Sequence, residues 1–506
     1  MDLNMNCTKV IEKILLKISK EENREIIEYN KIAYVGSKFA YEVRQKSEFL
    51  KENYRNKRAK IGLYFPNSIE LVIMLMAVFR SGMIAVPIPY GIKEIELEQV
   101  LEKCSLDCCV VGKEKRKITK IQYNYDDMYE YGEKEIVLNI SMSKTALLIV
   151  TSGSTGTPKL VSLSYRNIFF NAISHLKSIQ IQKNDRMIIV MPMHTCSAIV
   201  TQLLAYILGQ AKIYLISLPI LPRYLLKQIK EKRISGIMLV PTMLKLILKE
   251  SETQKYLKNE EWRELRIIIT CGAPLPQEDF KKACKKFPYT NILQTYGLSE
   301  ASPRVTLMKK DDKTLSCGVP VRGTQIKICD ELEHKVQCYN IGQIFVKGPN
   351  VMQGYYREPE LTKKIIRNGW LATGDLGYIN ENGYLFVVGR IKNLIISGGY
   401  NIYPESIEKF LGQFKEFNTI AVLGSSDEVL GESVVACVQL ETEENFDIQH
   451  IVNACYGSLS SYKVPRKWVE MKEIPFTKTG KIDRRNLKKE YAKGNYRVIY
   501  EELNQY

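Results

Sequence analysis

The chain reads as an α/β protein: a large domain of doubly wound, mostly parallel sheets, joined by a small β-rich subdomain. Two patterns predict this. From about residue 30 to residue 345, strand-like apolar runs alternate with amphipathic helices, the order that builds βαβ units under a parallel sheet. From Gln343 onward the pattern turns to short strands with glycine turns, as in Gly342–Gly348 and Asn382–Val388. At 506 residues there is enough chain for two or more domains with substantial cores.

The elements follow in order. Residues 1 to 30 are charged and helix-prone, and carry no motif. Leu71 to Pro89 is the longest apolar region, but Arg80, Ser81 and Gly82 interrupt it. It is too short to span a bilayer, and reads as a buried helix followed by a strand. Cys108 and Cys109 precede Val110 and Val111 in a buried strand, where a free cysteine behaves as a small apolar residue. Ala146–Val150 and Leu160–Ser164 read as two strands joined by a tight loop. Asn167–Ser178 repeats Ile168, Phe169, Ala172, Ile173 and Leu176 on one helical face. Further strands are expected at Met187–Met191, Gly236–Val240, Arg266–Cys271 and Thr290–Thr295. Ligands of such sheets bind beyond the carboxyl ends of the strands. Pro192–His194, Pro241, Cys271–Pro274 and Tyr296–Glu300 lie there.

Composition excludes several classes. Hydrophobic residues at 45% and charged residues at 25% are ordinary for a globular protein. The net charge of +17 suits phosphate-rich partners or an acidic carrier protein. Its basic residues are spread along the chain without an arginine-rich arm, so nucleic-acid binding is not expected. Cys104, Cys108 and Cys109 cluster, yet no second pair follows at zinc spacing. With no secretory signal at the N-terminus, the twelve cysteines are expected to be reduced thiols in a cytoplasmic protein.

The most informative segment is the loop Thr151, Ser152, Gly153, Ser154, Thr155, Gly156, Thr157, Pro158, Lys159. Gly153 and Gly156 let backbone amides approach a ligand, and hydroxyls, amides and Lys159 together can wrap polyphosphate oxygens. A polar turn is the plainer reading of the loop alone. It is not the P-loop of the NTPases, which has four residues between its glycines and a helix after its lysine.

Four more segments follow: Gln294–Glu300, Thr373–Asp375, Gly389–Lys392 and Pro475–Lys481. With the hydroxyl-rich loop, and in this order and spacing, they resemble the AMP-forming adenylating enzymes, from acyl-CoA synthetases to peptide-synthetase adenylation domains and luciferases. The likeness covers about residues 30 to 490. It implies a large AMP-binding domain over residues 1–389, a hinge at 390–392, and a small mobile α+β C-terminal domain over 393–506. The implied reaction joins a carboxylate to the α-phosphate of ATP and expels pyrophosphate. The acyl group then passes to a thiol, that of CoA or of a carrier-protein phosphopantetheine. A non-catalytic binding protein on the same scaffold is the reading from another class.

The resemblance also assigns residues. The loop Thr151–Lys159 holds the β- and γ-phosphates, with Thr151 also at the reacting centre. Glu300 binds Mg2+, helped by the hydroxyl of Ser299 where the family usually has threonine. Tyr296 stacks on adenine, opposite Gly272, Ala273 and Pro274, within the nucleotide-binding run Gln294, Thr295, Tyr296, Gly297. Asp375 holds the ribose and Arg390 contacts ribose and phosphate. Lys392 is the hinge residue and Lys481 the catalytic lysine. His194 packs beside the substrate carboxylate, and Tyr400 with Ser397–Gly399 enters the site for thioester formation. Thr195–Ala198 lacks the Phe-Asp pair that holds an α-ammonium group, which argues against amino acids.

Overall fold

The helix Ile69–Arg80 is apolar between Glu70 and Arg80, and all of it but Glu70 is buried, which explains its long hydrophobic run. Ser68 caps it, its hydroxyl accepting from the Leu71 amide at 3.3 Å. Arg80 closes it inside a charged knot, donating to Glu12 at 2.8 Å and Glu48 at 2.5 Å. The computed structural model describes residues 6–21, 23–54, 58–112, 118–128, 140–151, 158–253, 262–441, 446–477 and 481–502.

Around this helix lie two large sheets. A seven-stranded sheet runs Gly354–Tyr355, Lys159–Ser164, Thr145–Thr151, Ile84–Pro87, Lys60–Tyr64, Cys108–Val111, Gln122–Asn124, and is parallel from Thr145–Thr151 onward. A nine-stranded sheet runs Val319–Pro320, Arg304–Leu307, Asn291–Gly297, Ile267–Thr270, Gly236–Leu239, Arg186–Ile189, Lys212–Leu215, Glu25–Tyr29, Ile32–Val35. Its six strands from Asn291–Gly297 to Glu25–Tyr29 are parallel, and its outer strands are antiparallel. The expected strands thus sit in the interior, their ends displaced by a residue or two. The helix Tyr165–Ile179 begins at Ser164, whose hydroxyl and amide exchange hydrogen bonds with Asn167.

Two departures concern the expected boundaries. The antiparallel subdomain sheet begins at Gln325–Cys329, earlier than Gln343, and continues through Gly342–Lys347, Trp370–Ile379, Ile366–Arg367 and Leu385–Arg390. Residues before 30, which showed no motif, contribute both the helix Cys7–Ser19 and the strand Glu25–Tyr29.

From Ile395 the chain builds a six-stranded sheet with helices on both faces. The strand Gly431–Leu440 shows why: Val434, Ala436 and Val438 pack under the helices Pro404–Leu411 and Ile448–Ser458, while Val435 and Cys437 pack under Arg484–Ala492. This unit touches the helix Pro241–Thr253 through Lys245, which donates to the Asn418 carbonyl at 2.9 Å, and the Lys249–Glu441 pair at 2.5 Å. Among the described residues no helix is long and apolar enough to cross a membrane.

At the amino ends of the nine-stranded sheet, Asp185 ties three strands together. It accepts from Arg266 at 2.8 and 2.5 Å, Ser235 at 2.7 Å and the Gln182 amide at 2.8 Å. Burial pushes its carboxyl up, but these donors outweigh burial and hold it below the usual range. Asp185→Asn should lower the unfolding free energy at pH 7 by roughly 2–3 kcal/mol in urea titrations. Because the folded pKa is depressed, this stabilisation is complete above the ordinary carboxyl value of about 3.9. It is lost as pH falls through the lower folded value, so wild type and variant should converge in acid.

Candidate active site

Four neighbouring parallel strands, Arg186–Ile189, Gly236–Leu239, Ile267–Thr270 and Asn291–Gly297, deliver the motif segments to one edge of the nine-stranded sheet. Their carboxyl ends form the floor of a cleft. The turn carrying His194 is fixed by Asn67, which donates to the Met191 carbonyl and accepts from the Met193 amide, at 2.9 and 2.8 Å. His194 itself is half-buried there. Gln294 and Thr295 are buried and commit their side chains to backbone groups. Gln294 accepts from the Leu275 amide at 2.6 Å and Thr295 donates to the Thr270 carbonyl at 2.9 Å. These bonds fasten the two ends of the segment Thr270–Leu275, which carries the Gly272–Pro274 turn. Gly297 admits no side chain, since a β-carbon would lie 2.0 Å from the Pro303 carbonyl oxygen.

Tyr296 and Arg390 meet on one carboxylate. The Tyr296 hydroxyl donates to Asp375 Oδ2 at 2.7 Å, and Arg390 Nε donates to Oδ1 at 2.6 Å. Asp375 and Arg390 are register partners across the strands Trp370–Ile379 and Leu385–Arg390, so backbone pairing presents the ion pair. Thr373 accepts from the Asp375 amide at 3.1 Å and anchors that turn to the Ile344 carbonyl at 2.8 Å. Burial and the neighbouring carboxylate push the Tyr296 phenol well above its usual range, and Asp375 raises Arg390 further. Tyr296 is therefore a neutral donor and Arg390 a fixed cation.

Lys481 arrives from the C-terminal unit. Gly272 has φ +89°, and a β-carbon there would stand 3.3 Å from Lys481 Cε, so the turn needs glycine both for its backbone and for the lysine's approach. Lys481 remains solvent-accessible, as a residue in an open cleft does, while protein surrounds its ammonium. Burial lowers its pKa, Arg390 lowers it further, and Cys271, Asp375 and Glu300 oppose them. Lys392 is lowered by burial first, then by Arg390, Lys159 and Lys481. Lys159, Arg390, Lys392 and Lys481 thus face one another with Asp375 and Glu300 among them, a surplus of positive charge suited to a polyphosphate.

Glu300 stands on the short turn Ser299–Ala301. Tyr355, which sequence reasoning missed, donates its hydroxyl to Glu300 Oε1 at 2.8 Å, and Lys159 Nζ lies 4.9 Å from the centre of its ring. The Tyr355 strand pairs with Lys159–Ser164, placing the phenol between the two charges. Thr151 pairs with Lys159 across the hairpin and donates to its carbonyl at 3.4 Å. Ser152, Gly153, Ser154, Thr155 and Gly156 lie outside the described residues. Among the described residues no cluster of three metal-ligating side chains occurs. One carboxylate and one hydroxyl, Glu300 and Ser299, nonetheless fit a magnesium ion whose remaining ligands are phosphate oxygens and waters.

The sequence matches the AMP-binding enzyme family over residues 18–356, and the AMP-binding enzyme C-terminal domain over residues 406–481. The chain is 31% identical to a 2-succinylbenzoate–CoA ligase from Bacillus cytotoxicus over 445 residues, which is 85% of this chain and 88% of the relative. ATP-bound MatB from Rhodopseudomonas palustris has the same fold, with TM-score 0.87 at 23% identity over 96% of this chain and 99% of that one. The o-succinylbenzoate CoA synthetase of Bacillus subtilis, solved with the acyl-adenylate OSB-AMP, has TM-score 0.83 at 26% identity over 96% and 98% of the two chains. Its complex with ATP and a magnesium ion superposes at TM-score 0.84, again at 26% identity, over 94% and 98%.

The hydroxyl of Tyr355 makes one charge-assisted hydrogen bond to Glu300. Tyr355→Phe should raise KM for Mg-ATP roughly tenfold, the equivalent of about 1.5 kcal/mol, and leave KM for the thiol acceptor unchanged. Steady-state kinetics with ATP varied at saturating acid checks this. An unchanged KM would remove the phenol from the nucleotide site.

Proposed function

Because the chain belongs to the AMP-binding enzyme family, we propose that it is an ATP-dependent ligase joining a carboxylic acid to CoA. One observation carries the reading: Lys481 is seated beside Gly272, within electrostatic reach of Arg390, Asp375 and Glu300. An acid carboxylate oxygen attacks the α-phosphorus of ATP and pyrophosphate leaves. The CoA sulfur then attacks the acyl carbon, AMP leaves, and the thiol proton passes to solvent. The relatives' names, each a CoA ligase, favour CoA over a carrier-protein arm as acceptor.

The first step needs charge stabilisation rather than a protein nucleophile. Lys481 lies where an ammonium neutralises both the incoming carboxylate and the α-phosphoryl oxygens. Lys159 and Thr151, paired across the hairpin, are assigned to the outer phosphates. Glu300 and Ser299 would hold a magnesium ion, which when bound would supply charge neutralisation to the departing pyrophosphate. Asp375 keeps lone pairs for the ribose hydroxyls beyond its bonds to Tyr296 and Arg390. Tyr296 and Gly272–Pro274 bracket the adenine, and His194 flanks the acid.

The second step needs Lys481 out of the way, which makes residues 390–392 the hinge between 1–389 and 393–506. Lys392 occupies the second position of a turn closed by the Leu394 amide on the Ile391 carbonyl at 3.2 Å. Proline at 392 would fix φ and remove a backbone donor, so it blocks rotation about that residue. A fixed φ suits one orientation of the C-terminal unit and not two.

Two experiments test the reading. In Lys481→Ala, acid-dependent exchange of pyrophosphate into ATP should fall by roughly two to four orders of magnitude, while CoA thioester formation from supplied acyl-adenylate stays near wild type. Equal loss of both half-reactions would exclude Lys481 from the phosphoryl step. In Lys392→Pro the pattern should reverse, with exchange retained and thioester production sharply reduced. A parallel decline would remove the hinge from residue 392.

A further inference from the structure

Lys481 stands on two short arms of chain that brace each other. Phe476 and Ile482 form a bridge, the Thr477 amide donates to the Lys481 carbonyl at 2.7 Å, and the Asp483 amide donates to the Pro475 carbonyl at 2.8 Å. The Lys481 amide donates to the Thr477 hydroxyl at 3.2 Å. These bonds hold the lysine only to its own neighbours. The arms are fastened to the rest of the unit three residues later.

Arg484 opens the helix Arg484–Ala492. Its Nη2 donates to both carboxylate oxygens of Glu408 at 2.7 Å, and its Nη1 donates to the Val422 carbonyl at 2.7 Å. Glu408 Oε1 in turn accepts from the Val422 amide at 2.7 Å. The two side chains are only 21% and 16% exposed. Burial pushes the Arg484 pKa down, but Glu408 and Glu405 outweigh it, so the guanidinium keeps its charge. A planar guanidinium held at three acceptor atoms has little freedom to turn.

Glu408 belongs to the helix Pro404–Leu411, which also reaches the hinge turn. Glu405, one helical turn earlier on the same face, accepts from Asn393 Nδ2 at 2.7 Å, at the end of the turn Ile391–Asn393. Its other oxygen lies against Gly389, where a β-carbon would come within 2.6 Å. The helix packs on the strand Leu385–Arg390. The strand that presents Arg390 to Asp375, the helix Pro404–Leu411 and Arg484 therefore form one line of contacts that ends at the arm carrying Lys481.

We propose that Arg484 is a positioning residue for Lys481: seated on Glu408, it sets where the ammonium stands relative to Arg390, and it acts in adenylation through the lysine alone. This rests on the assignment of Lys481 to the phosphoryl step. The alternative role of the pair is to hold the C-terminal unit together, with no bearing on the chemistry.

The test measures both half-reactions on the full chain. Arg484→Lys keeps the charge, but an ammonium is a point donor and cannot reproduce the planar set of bonds to Glu408 and Val422. Its kcat for acid-dependent exchange of pyrophosphate into ATP should fall by roughly 10- to 100-fold, the scale of an ångström of misplacement. KM for ATP and for the acid should stay within a few-fold, and thioester formation from supplied acyl-adenylate should stay near wild type. Arg485→Gln, which removes an exposed charge one residue on, should leave both half-reactions unchanged. In the Lys481→Ala background, Arg484→Lys should cost nothing further, since a residue acting only through another has no effect once that residue is gone. Glu408→Gln should show the same split between half-reactions, and it decides the matter if Arg484→Lys does not fold. Equal decline of both half-reactions, unchanged exchange in Arg484→Lys, an equal loss in Arg485→Gln, or an additive loss in the double variant overturns the positioning role and leaves the Lys481 assignment intact. Exchange retained in Lys481→Ala overturns both.

Discussion

The carboxylate of Asp375 is the joint on which the site depends. It receives Tyr296 from the end of the nine-stranded sheet, belongs itself to the antiparallel subdomain, and grips Arg390 at the point where the chain leaves for the C-terminal unit. Three layers that fold around separate cores are thereby referred to one pair of oxygen atoms. Because strand register opposes Asp375 to Arg390, the ion pair needs little further ordering of side chains. Its lowered entropy cost is what makes a partly exposed arginine a dependable fixture.

The cleft follows from a conflict between charge and solvation. Burial lowers the pKa values of Lys392 and Lys481 first, and repulsion adds to it, from Arg390, Lys159 and Lys481 on Lys392 and from Arg390 on Lys481. Asp375 and Glu300 offset only part of that repulsion. Such an arrangement is retained at a cost to stability and is the signature of a site built for an anion. The tie at Asp185, on the opposite edge of the same sheet, shows the contrasting case: a carboxylate fully matched by its donors, which serves the fold alone.

Much of this was legible in the sequence because it is local. Buried strands announce themselves as apolar runs, and the turns after them carry the glycines that backbone angles demand, as at Gly272. The motif residues Tyr296, Glu300, Asp375, Arg390 and Lys481 gather as their order implied. What escaped notice depends on distant packing. Tyr355 sits in an unremarkable pair of tyrosines and acquires meaning only because its two-residue strand joins Lys159–Ser164. Arg304 reads as one polar residue in a short strand, and nothing nearby in sequence reveals that helices from residues 165–209 close over it. The strand Glu25–Tyr29 was overlooked since its glutamates, on a sheet flank, break the apolar pattern.

The crowd of cations has one more consequence. Lys481 sits on a separately packed unit from Lys159 and Arg390, so its docked position is weighted by whatever negative charge lies among them. A ligand that binds one arrangement of a protein more tightly shifts the population toward it in proportion to that difference. In the proposed reaction Mg-ATP would bring the most charge and favour docking. After pyrophosphate leaves, the adenylate would carry a single phosphate charge, with less to offset the repulsion among the lysines. Loss of the anion would thereby weaken the electrostatic hold on the unit that carries Lys481.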